Sequence, residues 1–334
     1  MPESNATTPS DTIPDSLGAS LGPVIQRATN GRLDPIDWFK ATWQRGGAST
    51  GYSKWSGPDG KVFDVMVKVP VGPVERDWTH ALGHVEEHGF EHDQYKDSPT
   101  PRVLAAGDTL GGYDLAWIVM ERFPGHPLPV NLTKTEVLHL LQTAAQFQRL
   151  ALERRPQIAP VRVRDWPQML EHSREAAKTA EIPHHQRWNE AIKRTQKAVG
   201  RLSAQWLARP VSAWCHGDLH PGNAMLRKTD DGQSRCVLID LALVHPGHWI
   251  EDALYLERQY WGHDELLHNV KPVAQLAKYR RELGLELGDG YADLADTRRI
   301  LMAANVPAYL NQEGNPKYVE AALSILERLL DRRH

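Results

Sequence analysis

Short runs of apolar residues separated by turns occupy the first half of the chain. Three of them have the length and residue types of β-strands: residues 61–69, 102–106 and 115–120. Turn sequences rich in Gly, Pro and Asp lie at residues 57–60 and 107–112, and a segment without strand alternation lies at residues 77–95. The pattern predicts two hairpins in one small antiparallel sheet, with a helix between them.

In the second half, apolar residues recur at helical spacing. Thr133 and Glu136 form a capping-box pair, and an apolar stripe of helical period follows them. Another stripe runs through residues 186–207. The last stripe follows Asn315 and Pro316, a helix-capping residue and a proline suited to the first helical position. Helices are therefore predicted to dominate this half.

The domain organisation follows from these patterns. Residues 1–20, rich in Ser, Thr, Pro and Asp, are predicted to form a disordered tail. A small sheet lobe is expected over residues 21–123 and a larger, mainly helical lobe over residues 124–334, with one short extended island at residues 211–240. The predicted fold class is α+β, with an antiparallel-sheet N-lobe and a helical C-lobe.

The composition narrows the range of partners and cellular locations. The 39 Lys and Arg residues against 42 Asp and Glu residues give a formal net charge of −3, which disfavours nucleic-acid binding. Two cysteines, Cys215 and Cys236, are too few for a disulfide framework. No secretory leader is recognisable, and no apolar run approaches the ~20 residues of a membrane-spanning helix. We expect a cytoplasmic protein without a nucleic-acid or membrane partner.

The densest group of chemically capable side chains lies at residues 214–223. It contains Asp218 and Asn223, and Asp240 follows at the end of the next apolar strand. Phosphoryl transfer needs a carboxylate that accepts the proton of the attacking hydroxyl, and oxygen ligands that hold Mg²⁺ against the phosphates. These three residues supply those groups. Each alone is more typical of a polar turn or a helix cap, so their combination and order favour the chemistry.

The His-Gly-Asp sequence at residues 216–218, with Asn223 five positions after the Asp, resembles the catalytic loop of the aminoglycoside phosphotransferase and choline kinase family. The resemblance implies a protein-kinase-like fold of two lobes with ATP between them. It also implies that Asp218 is the catalytic base and that Asn223 and Asp240 bind Mg²⁺. The dipeptide after Asp240 is Leu-Ala, where the protein kinases have Phe-Gly.

A glycine-rich segment near the start of the sheet lobe is similar to the phosphate loop of that family. Gly46 and Gly47 would present backbone N–H groups to the phosphates, and Ser49 would contribute its hydroxyl. Without the resemblance, such a segment is more often a plain turn. The resemblance therefore assigns these three residues to the nucleotide site.

Lys68 is a single charge within an apolar strand, where an ammonium group needs an anionic partner if it is buried. The alternative is a lysine at a sheet edge that faces solvent. In the resembling family, the lysine at this place binds the nucleotide phosphates and pairs with a glutamate on a helix. We expect Glu91 to be that glutamate, and Glu86 and Glu87 are alternatives in the same segment.

Two further segments gain roles from the resemblance. The apolar run that ends at Glu121 and Phe123 is similar to the family's last N-lobe strand and hinge, whose backbone would bind adenine. The alternative is a core strand followed by a turn, without a role in nucleotide binding. Asp252 is expected to cap the helix that it opens and to brace the catalytic loop.

The acceptor is expected to be a hydroxylated small molecule. Asp252 lies only 12 residues after Asp240, which leaves no room for the long segment with which protein kinases bind polypeptides. Residues 166–188 are a candidate wall of the acceptor site, with three histidines at His172, His184 and His185. The acidic residues of this region alternate with Arg and Lys, which disfavours a polycationic acceptor such as an aminoglycoside: Glu171, Glu175, Glu181 and Glu190.

Two other functions compete with the kinase. His216, Asp218 and His220 would share one face of a straight strand and could bind the metal of a hydrolase, but Pro221 and the glycine after it break that strand. A kinase-like ATP-binding module without catalysis would require the loss of the base or of a metal ligand, and the sequence keeps both. An ATP-dependent and Mg²⁺-dependent phosphotransferase is the favoured prediction.

Overall fold

The computed structural model describes residues 16–39, 48–58, 60–85, 97–158, 164–179, 182–229, 232 and 234–333. The chain divides into two compact units. Unit 1 comprises Met1–Pro127 and Met225–Val244, and unit 2 comprises Leu128–Ala224 and His245–His334. The fold is a two-lobed α+β fold, as the sequence predicts.

Unit 1 is built on a five-stranded antiparallel sheet with the strand order β1-β2-β3-β5-β4. The strands are β1 (Asp37–Phe39), β2 (Ser49–Ser56), β3 (Val62–Val69), β4 (Val103–Gly107) and β5 (Trp117–Glu121). Both predicted hairpins are confirmed, since β2 pairs with β3 and β4 pairs with β5.

The alternation of β3 explains how the sheet positions a charged residue. Val65, Val67 and Val69 are fully buried in the core of the unit, and each such side chain contributes roughly 1.5–3 kcal/mol. Lys68 lies between two of them and therefore points to the other face of the sheet. Its strand neighbours in register are Thr50 of β2 and Ile118 of β5.

One helix of unit 1 was not predicted, and another begins earlier than the sequence predicts. Helix α1 (Ser16–Ala28) includes residues 16–20, which the prediction placed in the tail, because Ile25 and its apolar neighbours pack into the core of the sheet. Helix α2 (Pro73–Gly83) starts at a proline in its first turn rather than at residue 77.

A third hairpin belongs to unit 1 although it lies far along the chain. Strands β7 (Ala224–Lys228) and β8 (Ser234–Leu238) pair with each other. Arg227 of this hairpin contacts Glu121, and the N–H of Leu238 donates to the carbonyl of Pro99. Residues 225–244 thus pack with the sheet, which differs from the predicted continuous domain of residues 124–334.

Unit 2 is mainly helical. Its longer helices are α3 (Lys134–Arg154), α4 (Trp166–Thr179), α5 (His185–Leu207), α6 (Ile250–Gln259), α7 (Pro272–Glu282), α8 (Tyr291–Ala304) and, after the short α9 (Leu310–Glu313), α10 (Pro316–Asp331). The capping box of Thr133 and Glu136 and the cap at Asn315 are confirmed. A short ribbon of β6 (Ala213–Cys215) and β9 (His245–Gly247) lies among the helices. None of the helices in the described ranges has the length and apolarity to cross a membrane.

Candidate active site

In unit 1, Lys68 forms an ion pair with Glu75 in the first turn of α2. Glu75 is buried, and burial raises its pKa against the lowering effect of Lys68, while the charge of Asp240 raises it further. The predicted partner Glu91 and its alternatives Glu86 and Glu87 lie outside the described residues. The structure therefore pairs Lys68 with a glutamate that the sequence analysis did not consider.

Asp240 lies two residues after the end of β8 and has a left-handed backbone conformation, with φ 61° and ψ 70°. A residue with a side chain rarely adopts this conformation, and such residues cluster at functional sites. The 3₁₀ turn of residues 241–243 follows directly, and α2, which carries Glu75, packs against it. Unit 1 thus brings Lys68, Glu75 and Asp240 into one region.

The other nucleotide-site predictions in unit 1 are partly described. Gly46 and Gly47 lie outside the described residues, whereas Ser49 is buried at the start of β2. At the predicted hinge, the N–H of Glu121 donates to the carbonyl of Arg102, and that of Arg122 donates to the carbonyl of Asp64. These two N–H groups are therefore engaged within unit 1, so adenine binding at the predicted hinge would fall to other backbone groups of residues 121–123.

The side chain of Glu121 has a role that the sequence did not indicate. Its carboxylate accepts hydrogen bonds from Arg102 and Arg227, with distances of 2.8 Å to a nitrogen of each guanidinium group. Burial opposes its ionisation, but these two arginines lower the pKa of Glu121 overall. The ion-pair network fixes the end of β5 to β7 within unit 1.

In unit 2, the structure brings Asp218 and Asn223 together. The side-chain amide of Asn223 donates to Asp218 Oδ2 at 2.9 Å and to the Asp218 carbonyl at 3.1 Å. In this orientation the NH₂ group of the amide faces Asp218, and the other end of the amide carries the oxygen Oδ1. An amide oxygen is a suitable ligand for Mg²⁺. The predicted base and metal ligand are therefore neighbours in one loop.

Two more side chains shape the environment of Asp218. His220 Nε2 lies 3.6 Å from Asp218 Oδ2, and the hydroxyl of Tyr255 on α6 donates to the same carboxyl group. Burial opposes ionisation of Asp218, but the interactions with His220, Tyr255 and Asn223 outweigh it and lower its pKa to about 2. Asp218 is thus a carboxylate at neutral pH.

A buried hydrogen-bond network holds the loop that carries Asp218 and Asn223. Asp252 accepts the backbone N–H groups of His216 at 3.1 Å and Gly217 at 3.0 Å, and also the side chain of Gln148 at 2.8 Å. Arg280 donates to the other end of Gln148 at 2.7 Å. The predicted bracing role of Asp252 is confirmed by these contacts.

The predicted capping role of Asp252 is wrong. The N-cap of α6 is Trp249, whose side chain makes no capping hydrogen bond, and the N–H of Ile250 donates to Nδ1 of His248 instead. The physical reason is that both carboxylate oxygens of Asp252 accept hydrogen bonds from the loop. Gly217 turns this loop with a φ of 82°, which places its N–H toward Asp252 at low conformational cost.

The rival metal site does not form. His216 is fully buried, its ring packs edge-on against Phe147, and its Nδ1 accepts the N–H of Asp218. The ligand atoms of His216, Asp218 and His220, all of them described residues, do not converge on one point. The hydrolase alternative therefore loses its ligand set.

Another cluster brings ligand atoms of Cys215, His245 and Glu251 within 4.8 Å of one another. The carboxylate of Glu251 already accepts hydrogen bonds from Arg209 and from the backbone of His248. The thiol of Cys215 donates to the His248 carbonyl, and burial raises its pKa. A protonated thiol is a poor ligand, so the cluster fits a structural role.

Comparison with known protein families identifies the family to which the chain belongs. The model of the phosphotransferase enzyme family (APH) matches residues 75–300, which is more than half of the chain. The chain therefore belongs to this family. The match includes Glu75, Asp218, Asn223 and Asp240, while Ser49 and Lys68 precede it.

Solved structures with similar folds have low sequence identity to the chain. A candidate aminoglycoside phosphotransferase from Ralstonia eutropha JMP134 is 13% identical with a TM-score of 0.54, covering 92% of this chain and 97% of that protein. An aminoglycoside phosphotransferase from Alicyclobacillus acidocaldarius is 16% identical with a TM-score of 0.52, covering 90% and 93%. A spectinomycin phosphotransferase in complex with ADP and spectinomycin is 12% identical with a TM-score of 0.50, covering 89% and 93%. These likenesses show the fold. A search of curated proteins finds no significant match.

Sequence reasoning missed three site residues. Glu75 could have been found, because Gly72-Pro73 is a helix-start signal that places a glutamate in the first turn. Tyr255 and Gln148 carry no such signal, since each lies at an ordinary position of an amphipathic helix. Their roles depend on which loop the helix packs against.

Proposed function

We propose that the chain is an ATP-dependent phosphotransferase that moves the γ-phosphate to a hydroxyl group of a small molecule. The observation that carries this proposal is the ionised Asp218, hydrogen-bonded to Asn223 in a loop that Asp252 holds in place. Family membership supports it. The spectinomycin phosphotransferase of similar fold binds ADP and its antibiotic, which agrees with a nucleotide and a small-molecule acceptor.

Asp218 would orient the acceptor hydroxyl and receive its proton. A carboxylate with a pKa of about 2 is a weak base. It becomes effective as the hydroxyl oxygen bonds to phosphorus and its proton becomes acidic, so proton transfer is late in a loose transition state. Positioning of the hydroxyl is then its main contribution.

Asn223 and Asp240 are the proposed ligands of Mg²⁺. An amide oxygen and a carboxylate fit the preference of this hard cation for oxygen donors. When bound, Mg²⁺ neutralises charge on the phosphate oxygens. Lys68, held by Glu75, is proposed to bind the phosphates, together with Ser49 and the N–H groups of Gly46 and Gly47.

The proposal is tested by ADP release from purified protein with Mg²⁺ and ATP across a panel of hydroxylated small molecules. Asp218→Ala is the test variant, and Asp264→Asn, an exposed acid of unit 2, is the matched control. Acceptor-dependent ADP release that disappears in Asp218→Ala alone supports the proposal. Full activity of Asp218→Ala, or a failure of the protein to bind ATP, would overturn it.

A further inference from the structure

A cavity of about 250 Å³ lies in unit 2 beside the proposed base. It is lined by Gly217, which precedes Asp218 in the chain, and by Tyr255, whose hydroxyl donates to Asp218. Its volume is just below the range of pockets that enclose drug-sized ligands. A small hydroxylated molecule seated here would therefore have a route to Asp218.

The charge of this cavity is positive. Arg164, Arg258 and Arg298 line it, whereas Glu251 is the one carboxylate among the lining residues that the structure describes. The charge of Glu251 is already compensated, because Arg209 donates to it at 3.2 Å. An acceptor in the cavity thus meets an excess of guanidinium groups.

Arg298 is the most informative of the three arginines. It is 8% exposed, and its guanidinium carbon lies 5.0 Å from the Trp166 ring centroid and 4.9 Å from that of Trp206. Burial lowers its pKa to about 10, so it is a cation at neutral pH. Its counter-charge is Glu251, which lines the same cavity and also accepts a hydrogen bond from Arg209. A buried cation that shares its counter-ion with a second arginine is costly, and an anionic ligand reduces that cost.

The remaining walls are largely apolar and aromatic. Trp166 and Met169 of α4 belong to the segment that the sequence analysis named as an acceptor wall, while His172, His184 and His185 do not line the cavity. Met302 lies on the same helix as Arg298 and also lines it. Such walls suit a ring or a short hydrocarbon body rather than a highly hydroxylated sugar.

We infer that the acceptor is a small carboxylate-bearing alcohol with an aromatic or apolar body. This inference rests on the proposed function, since it assigns the cavity to the acceptor. The planar guanidinium group of Arg298 suits bidentate binding of a carboxylate, and Arg164 at the exposed side adds to the attraction. The same charges repel a polycationic acceptor.

The test uses three probes with one ring and one primary alcohol but different charges. They are 4-(hydroxymethyl)benzoate, its methyl ester and 4-(aminomethyl)benzyl alcohol. Binding of each is measured by ligand-observed NMR titration of the full chain, and ADP release with Mg²⁺-ATP is measured separately. We expect the carboxylate to bind at least about tenfold more tightly than the other two.

Variants locate the carboxylate. Arg298→Gln and Arg164→Gln should each remove most of this preference, and Arg298→Lys should restore it only in part because lysine lacks the planar fork. Arg201→Gln, at an exposed arginine of α5 that does not line the cavity, is the matched control and should keep the preference. Thermal unfolding checks that each variant is folded. Because Arg164 is exposed, Arg164→Gln is the substitution with the smallest expected effect on folding.

The outcomes separate the two proposals. Arginine-dependent binding of the carboxylate supports the inference, and the absence of ADP release in that case counts against phosphotransfer alone. Equal binding of the three probes, preference for the amine, no binding of the carboxylate, or a preference unchanged in Arg298→Gln and Arg164→Gln would each overturn the inference. ADP release that is equal for the ester and the carboxylate also overturns it while leaving phosphotransfer intact.

Discussion

The ion pair of Lys68 and Glu75 sits where both charges are largely withdrawn from water. Glu75 is 7% exposed, and burial raises its pKa although Lys68 lies against it. A buried pair of this kind adds little to stability compared with apolar residues of the same size. Its presence is better explained by a function, namely that Glu75 holds the ammonium group of Lys68 in one position.

Glu75→Gln should therefore reduce phosphotransfer. Loss of the fixed lysine position is expected to lower the turnover of ATP on the order of 100-fold. Asp77→Asn on the same helix, a half-exposed acid paired with Arg76, is the matched control and should have normal turnover. Normal turnover of Glu75→Gln would contradict the role of this pair.

At the residue scale, the sequence predicted the neighbours Asp218 and Asn223 better than it predicted the ion pair of Lys68. Asp218 and Asn223 are five residues apart in one tight loop, so their order in the chain already determines their proximity. The partner of Lys68 is set by where α2 begins, and the sequence analysis did not use Pro73 as the signal for that start. Glu75 was missed because the prediction started the helix at residue 77 rather than at Pro73.

Among the elements, the β7–β8 hairpin is fixed to the sheet by a buried charge network. Arg227 is 4% exposed and donates to Glu121, and it also donates to the backbone carbonyls of Ser98 and Thr100. One arginine thus joins β7, the end of β5 and the segment before β4. Glu121 keeps a second partner in Arg102.

Arg227→Met should lower the free energy of unfolding by about 3 kcal/mol, because it leaves a buried carboxylate with one partner and two carbonyl groups without their donor. Urea denaturation measures this. Arg235→Met on the same hairpin is the control, since its pair with Asp97 is exposed and should be worth less than about 1 kcal/mol. An equal effect of the two substitutions would show that the buried network does not stabilise the hairpin.

Whether a segment forms a hairpin or a helix could be predicted where the local sequence pattern decides it. Which other part of the chain that segment packs against could not be predicted. The two hairpins of the sheet and the caps at Thr133 and Asn315 follow from turn and capping residues alone. Residues 225–244 join unit 1 through contacts between residues far apart in the chain, such as that of Arg227 with Glu121 over a separation of 106 residues. No local pattern contains that information.

For the molecule as a whole, Glu251 should make stability depend on pH. Burial opposes its ionisation, but His245, Arg298 and Arg209 lower its pKa from the usual 4.5 to about 2. A lowered pKa stabilises the folded state above pH 4.5, and that contribution is lost as the pH falls toward 2. The contribution is about 3 kcal/mol at neutral pH.

Urea denaturation between neutral pH and the acid range tests this account. Glu251→Gln should be less stable than the parent protein at neutral pH, because Arg209 loses its partner. Its stability should fall less steeply on acidification, since it lacks the group that titrates. Parallel pH profiles of the two proteins would contradict the assignment of the lowered pKa to Glu251.

The central claim is that Asp218 directs the transfer of a phosphoryl group from ATP to a small molecule. The most direct measurement follows the label of γ-³²P-ATP onto a panel of hydroxylated acceptors that includes 4-(hydroxymethyl)benzoate, in the parent protein, Asp218→Asn and Asp264→Asn. We predict a labelled acceptor whose rate of formation falls roughly 100- to 10,000-fold in Asp218→Asn, with ATP binding retained, and is normal in Asp264→Asn. Undiminished transfer by Asp218→Asn, or no labelled acceptor from a parent protein that binds Mg²⁺-ATP, would contradict the account.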